Sequence, residues 1–267
     1  MSSTEGNLKK MHVSHDEMVN YTLRLGSNDL FLNPLIGNKL RLEFNCQINC
    51  IICSRKIKKV FGQGLCYPCF INAPENAECI LRPELCQAHL DKGRDPEWER
   101  INHLQAHIVY LALSGGLKVG VTRKDQIPTR WIDQGASETI IFAETPYRYL
   151  AGKIEVQLKA HVSDKTNWQR MLKNIEPDKT DLVFERTRLI KELSSDTKQY
   201  ISSNMDITKF NYPVLNYPEK VKSIGFDKQN IVEGVLTGIR GQYLYFDNEF
   251  VINIRKHSGY LISVSHD

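Results

Sequence analysis

All seven cysteines of this 267-residue chain fall between Cys46 and Cys86, and none follows. That crowding limits what the chain can fold into more than any other feature. A disulfide framework staples distant parts of a small secreted domain, whereas a local cluster of Cys with His points to metal. Cys50-x-x-Cys53 and Cys66-x-x-Cys69 are separated by twelve residues, 54–65. Two-residue spacing lets both thiolates of a pair reach one ion, and two such pairs complete a tetrahedral four-thiolate site. The competing readings are unpaired buried thiols or a redox dithiol, which normally brings one Cys-x-x-Cys beside a strand–helix unit; here there are two. The expectation is a structural zinc in a zinc-ribbon-like segment, with no open coordination position.

Cys79, Cys86 and His89 form a second set, with Cys86-x-x-His89 in ligand spacing and a fourth ligand to come from His103 or His107. It predicts a second zinc; the alternative is that Cys79 and Cys86 are small buried hydrophobes, as free cysteines often are. Cys46 is left over and reads as a buried strand residue. Arg55, Lys56, Lys58 and Lys59 lie between the halves of the first site. Clustered cations on a rigid knuckle suit phosphate contacts, or they are a solvated charge run on a hairpin.

Hydrophobic residues make up 41% and charged residues 25%, which argues against disordered, collagen-like and coiled-coil classes. The net charge of +4 permits a polyanionic partner without requiring one. Residues 1–20 carry Glu5, Lys9, Lys10, Asp16 and Glu17 and no apolar core of a secretory signal, and no apolar run approaches the roughly 20 residues of a membrane helix. A soluble, cytoplasmic protein without membrane contact is expected.

The hydrophobic pattern divides the chain into zones. Residues 1–45 look β-like at 21–25, 30–32 and 40–44. Residues 46–105 are Cys-rich with little periodicity. Residues 106–205 alternate strand and helix patterns: strands at 108–113 and 117–122 joined by Ser114-Gly115-Gly116, a short helix after Pro128, a strand at 138–144, and helices at 147–162, 168–172 and 182–193. Residues 206–267 turn β again. The expected fold class is α+β, with the 1–45 and 206–267 segments pairing into one small barrel or sandwich around the inserted zones.

The order from 108 to 168 carries the most chemistry: Ile108-Val109-Tyr110, then Lys118-Val119-Gly120-Val121-Thr122, then Arg130, Ile154-Glu155 and Asn167-Trp168. It resembles the GIY-YIG nuclease superfamily, whose fold is a hairpin, a helix with an Arg, a third strand, and a helix with a metal-binding Glu. The resemblance covers about a quarter of the chain. More broadly, the chain is similar to a bacterial family catalogued as domain of unknown function 2797, in which the Cys pairs, Pro83-Glu84-Leu85-Cys86, the 118–123 run and Gly241-Gln242-Tyr243 recur. The nuclease resemblance implies that Glu155 holds Mg²⁺ or Mn²⁺, that Arg130 clamps a phosphate, that Tyr110 positions or relays the attacking water's proton, and that Asn167 orients groups nearby. Ile108 stands where the first motif has Gly, and Lys118 where the second has Tyr. A lysine acts as a base at neutral pH only if its pKa is strongly depressed, but it can still neutralise phosphate. The structural alternatives are that Tyr110 faces the core and that Arg130 and Glu155 are an ion pair.

Lys118, Arg123, Lys124 and Arg130, interleaved with Tyr110, Trp131 and Tyr147, would make a basic surface with stacking rings, extended by Arg240, Arg255, Lys256 and His257. Three readings follow: a zinc-stabilised, divalent-metal-dependent nuclease-like protein acting on DNA or RNA; a non-catalytic, zinc-containing nucleic-acid-binding module; and a zinc-dependent scaffold. No P-loop, dinucleotide fingerprint, nucleophile elbow or two-His zinc protease helix occurs.

Overall fold

The structure is a computed structural model that describes residues 2–177 and 180–267. It divides into two compact units, Met1–Phe70 with Asn211–Asp267, and Ile71–Phe210. No helix of the described residues is long and apolar enough to cross a membrane. The fold is mixed α+β, with several sheets.

The first unit is built on an eight-stranded sheet. Its order is Ser2–Asn7, Tyr260–His266, Lys39–Asn49, Ile231–Arg240, Tyr243–Phe246, Phe250–Asn253 and Lys222–Ile224, with Lys56–Ile57 added alongside Lys39–Asn49. A three-stranded sheet of His12–His15, Val19–Leu25 and Asn28–Phe31 accompanies it. Alternation drives the pairing: Val19, Tyr21, Leu23 and Leu25 are buried on one strand, Leu40 and Leu42 on another. Leu42 lies opposite Val232 on one side and Val264 on the other, so apolar residues line up across three strands.

The expected barrel does not close: among the described residues the large sheet is open. Its last strand, Lys222–Ile224, is three residues long and pairs only in parallel with Phe250–Asn253. At the other edge the chain leaves Ser2–Asn7 through Leu8, which bridges Leu25, and so enters the three-stranded sheet. Cys46 also departs from expectation. It is exposed, with φ 54°, where Lys39–Asn49 shifts register against Tyr260–His266; the bulge turns its side chain out of the core.

The second unit carries an antiparallel four-stranded sheet ordered Ile207–Lys209, Glu138–Thr145, His107–Leu113, Leu117–Arg123. His107–Leu113 is central and buried along its whole length. The Arg148–Lys159 helix buries Ala151, Ile154, Glu155 and Leu158, one stripe at i, i+3, i+4 and i+7. Ile154 and Leu158 join Val109, Leu111, Phe142 and Leu189 in one core cluster, where each buried aliphatic side chain contributes about 1.5–3 kcal/mol. Glu155 is the exception on that stripe, a carboxylate carried to the buried side of the helix.

Gly152 sits on the same helix against the Pro83–Leu85 turn, and a Cβ there would collide with the backbone of Pro83 and Glu84. Gly152→Ala is therefore expected to destabilise the protein by about 1–3 kcal/mol, despite the roughly 1 kcal/mol by which Ala favours a helix over Gly. Urea denaturation measures it; an unchanged or raised midpoint would show that the helix does not pack this closely.

Candidate functional site

The first thiolate cluster grows out of the sheet of the first unit. Lys56–Ile57 pairs with the end of Lys39–Asn49, and between them Ser54 N–H donates to Cys50 O and Cys50 N–H to Arg55 O, both at 2.9 Å, which folds 50–55 into a tight turn. Phe61 and Leu65 exchange backbone hydrogen bonds of 2.9 and 3.1 Å in a second turn that delivers Cys66. Cys69 follows on the Tyr67–Asn72 helix. The Sγ atoms of Cys50, Cys53, Cys66 and Cys69 all lie within 4.8 Å of one another, with Cys53 and Cys66 3.7 Å apart. Burial pushes the Cys50 thiol up, but the backbone N–H groups of Cys53, Cys66 and Ile52 outweigh it and bring it down to about 6. N–H groups aimed at sulfur favour the thiolate, which is the form that binds metal. The cluster can hold a metal ion.

Beside it, Arg55, Lys56, Lys58 and Lys59 are exposed, and none forms an ion pair with a described residue. Lys59 Nζ lies 5.3 Å above the Phe61 ring.

A second cluster lies in the other unit. One ligand atom from each of Cys79, Cys86, Glu99 and His103 falls within 4.8 Å of the others. Cys86 Sγ is 3.5 Å from His103 Nδ1, and His103 Nδ1 is 3.7 Å from Glu99 Oε2. His89, in ligand spacing with Cys86, is not among them. The Ala88–Leu90 turn swings its ring between Tyr147 and Tyr149, with centroids at 5.3 and 4.7 Å. His107 is also elsewhere: it opens the central strand, its Nδ1 is 2.7 Å from Gln105 O, and burial pushes it down to about 4, a neutral core histidine.

The same unit gathers four of the five residues singled out from the 108–168 order. Ala112 faces Lys118 and Tyr110 faces Gly120 across the hairpin, so period-two alternation puts Tyr110 and Lys118 on one face of the sheet. Tyr110 is fully buried; its hydroxyl donates to Gln134 Oε1 at 2.8 Å, and Trp131 meets its ring edge-on at 5.8 Å. Gly120 leaves room for that hydroxyl, since a Cβ would lie 2.6 Å from it. Burial pushes the Tyr110 hydroxyl up, with the Arg130 charge opposing and the Glu155 charge reinforcing the shift.

Lys118 is 4% exposed, and its Nζ donates to Thr166 Oγ1 at 3.1 Å. Burial, joined by repulsion from Arg130, brings its ammonium down to about 8, against the attraction of Glu155 and Asp164. Arg148 is buried, and burial lowers its pKa too; it feels both Glu155 and Arg130. Glu155 is raised by burial, its Oε2 has no hydrogen-bond partner, and Lys159 Nζ lies 3.4 Å away. Asn167 does something else. Its side chain caps the Trp168–Leu172 helix by accepting from Arg170 N–H at 3.2 Å.

A family profile described as Protein of unknown function (DUF2797) matches residues 37–262. The chain belongs to that family. No curated protein and no solved structure matches it. The DUF2797 match takes in both cysteine clusters and every residue of the buried charged group.

Several residues of this DUF2797 chain went unnoticed in the sequence. Glu99 was missed although it stands four residues before His103, the spacing that puts two side chains on one helical face. Gln134, Thr166 and Arg148 carry no spacing signal, whereas Lys159, four residues after Glu155, does. The expected basic surface is mostly paired or buried. Arg123 bonds Asn102 and Asp125, and Lys124 Nζ lies 2.6 Å from Glu144. Tyr110 and Trp131 are core rings and cannot offer stacking faces. In the first unit Arg240 is fully buried, 5.0 Å from the Tyr212 ring, and Lys256 pairs with Asp227 at 3.0 Å.

Proposed function

We propose that this chain is a zinc-stabilised, divalent-metal-dependent nuclease acting on phosphodiester bonds of DNA or RNA, with Tyr110, Lys118, Arg130 and Glu155 at its centre. One observation carries the reading. Lys118 and Arg148, both buried, each feel the positive charge of Arg130, and the carboxylate that attracts both, Glu155, is already engaged by Lys159. Like charges held out of water call for an anion, and a phosphodiester brings one. The element order adds support: an antiparallel hairpin, a short helix with Arg130, a third strand on the hairpin's other side, and a helix carrying Glu155 resemble the GIY-YIG arrangement. The first thiolate cluster suits zinc, the ion that four tetrahedral thiolates commonly take.

The Glu155 carboxylate fits one hard cation in place of its Lys159 contact, which lies 3.4 Å from Oε2. Mg²⁺ or Mn²⁺ there would supply Lewis-acid stabilisation of the phosphoryl oxygens. Arg130 offers a planar guanidinium for two of those oxygens. Lys118, charged below about pH 8, neutralises the diester. Tyr110, whose hydroxyl donates to Gln134 Oε1 at 2.8 Å, would have only its oxygen lone pair to offer the attacking water.

The test is incubation of the zinc-replete protein with single-stranded, duplex and hairpin DNA and RNA in Mg²⁺ or Mn²⁺, beside Glu155→Ala and Arg130→Ala. Metal-dependent product is expected from wild type, none from Glu155→Ala, and roughly 10²–10³-fold less from Arg130→Ala. Product that survives Glu155→Ala sinks the proposal. The second reading, a recognition module without cleavage, draws on the raised Glu155 carboxyl and its Lys159 partner. Salt-sensitive complexes with no product from any substrate would establish it in place of the first.

A further inference from the structure

We propose that Cys79, Cys86, Glu99 and His103 bind a second zinc ion, which ties the 77–86 segment to the Pro96–His103 helix. This site is separate from the four-thiolate cluster and does not depend on phosphodiester chemistry.

The donor geometry is the first argument. Two thiols, an imidazole and a carboxylate converge within 4.8 Å, and none of the four residues is more than 7% exposed. Two cysteines packed as small hydrophobes would not draw a carboxylate and an imidazole in with them, because burying polar groups without strong partners is unfavourable. Coordination satisfies all four at once. The set also matches zinc, a borderline-soft ion that takes sulfur, nitrogen and carboxylate oxygen in tetrahedral sites.

Charge is the second argument. Two thiolates and one carboxylate around a divalent ion leave a single negative charge. Arg148, itself buried, stands beside them: its Nε and Nη2 donate to Cys79 O at 3.0 and 2.9 Å, and Nη2 donates to Ile80 O at 2.9 Å. Arg148 sets a positive charge near the site and holds the ligand-bearing backbone.

The surroundings also fit a metal site. Arg94 N–H donates to Glu99 Oε1 at 2.9 Å, which occupies one carboxylate oxygen and leaves Oε2 toward His103. Such outer partners fix the orientation of metal ligands. A cavity of about 680 Å³, lined in part by Cys79, Cys86 and Glu99, provides the ion's way in.

The local fold gains from the tie. Between 74 and 90 the chain forms one four-residue helix and three single turns, and its own apolar cluster is small: Ala77, Cys79, Cys86 and Ala88 with Ile80 and Tyr149. So small a cluster leaves the seventeen residues 74–90 to be ordered by contacts outside it, and a metal tie adds to those from Gly152 and Arg148.

Native mass spectrometry of the full chain, produced with zinc, is the deciding experiment. Wild type should carry two zinc ions, Cys53→Ser one and Cys86→Ser one. A wild type with a single ion, or a Cys86→Ser protein that keeps both, overturns the proposal. Should Cys86→Ser not fold, alkylation of wild type decides in its place. Cys79 and Cys86 should resist a maleimide until a chelator is added and then react; equal labelling before and after chelation overturns the site. A protein with two ions and no nuclease activity supports this site while refuting the proposed function, so the two fail separately.

Discussion

Serine at Cys50 and Cys66 together should release one metal ion and open the 50–69 knuckle while the large sheet stays folded. Isolated zinc domains draw an apparent 10–16 kcal/mol or so from their ion. Here the knuckle's own core is Cys50, Leu65 and Cys66 with Ile57, Cys69 and Phe70 against them, too little to close two turns without the ion. The hydrogen bonds to follow are Ile51 N–H to Gly64 O and the Phe61–Leu65 pair, all between 2.9 and 3.1 Å. Hydrogen exchange at those amides should rise by at least about a hundredfold, roughly 2.7 kcal/mol of lost local protection. Amides of Ile231–Arg240 should change little. Unaltered exchange at Ile51, Phe61 and Leu65 would mean that the turns fold without metal.

Lys118→Met should stabilise the protein and, on the proposed function, weaken polynucleotide binding. Burial brings the folded-state pKa of Lys118 to about 8, against 10.5 for an ordinary lysine. Between those values the unfolded chain binds more protons than the folded one, so wild-type stability rises with pH from about 8 to 10.5. Below pH 8 the penalty is fully present, about 3 kcal/mol from the shift at 1.36 kcal/mol per pH unit. Methionine removes the charge and keeps most of the volume, and loses the bond to Thr166 and the attraction of Glu155 and Asp164. The expected gain at pH 7 is about 2–3 kcal/mol, or roughly 4–12 °C in Tm, shrinking toward zero by pH 10.5. A variant no more stable than wild type at pH 7 would show that Lys118 is comfortably solvated or paired, and the argument for an anion at that place would go with it.

These effects also show which parts of the molecule could be read from the sequence. The first thiolate cluster could, because two Cys-x-x-Cys pairs encode their own local geometry. The helices at 148–159 and 168–172 and the hairpin around Ser114-Gly115-Gly116 also follow from local pattern and turn chemistry. Ser2–Asn7 could not be read, because its Ser, Thr, Glu, Gly and Asn residues show no apolar alternation; its partner Tyr260–His266 makes it a strand. Barrel closure was equally out of reach, since it turns on which edges meet far apart in sequence. In the second cluster, spacing suggested His89 and passed over Glu99. Ring orientation settled that choice, and ring orientation follows from Tyr147 and Tyr149 rather than from distance to Cys86.

The pairing of Ser2–Asn7 with Tyr260–His266, in register from Ser2 opposite His266 to Asn7 opposite Leu261, bears on how the protein is made. A ribosome releases the first of these strands long before the second exists. Residues 71–210 hold all the partners of their own sheet and can fold while synthesis continues. Apart from its Ile48–Asn49 end, which Lys56–Ile57 pairs early, the Lys39–Asn49 strand must wait for Ile231–Arg240 and then for Tyr260–His266. Such late pairing is slow and leaves strand edges open to other chains. Translation speed and chaperone supply should therefore govern the yield of this protein more than the strength of its finished core.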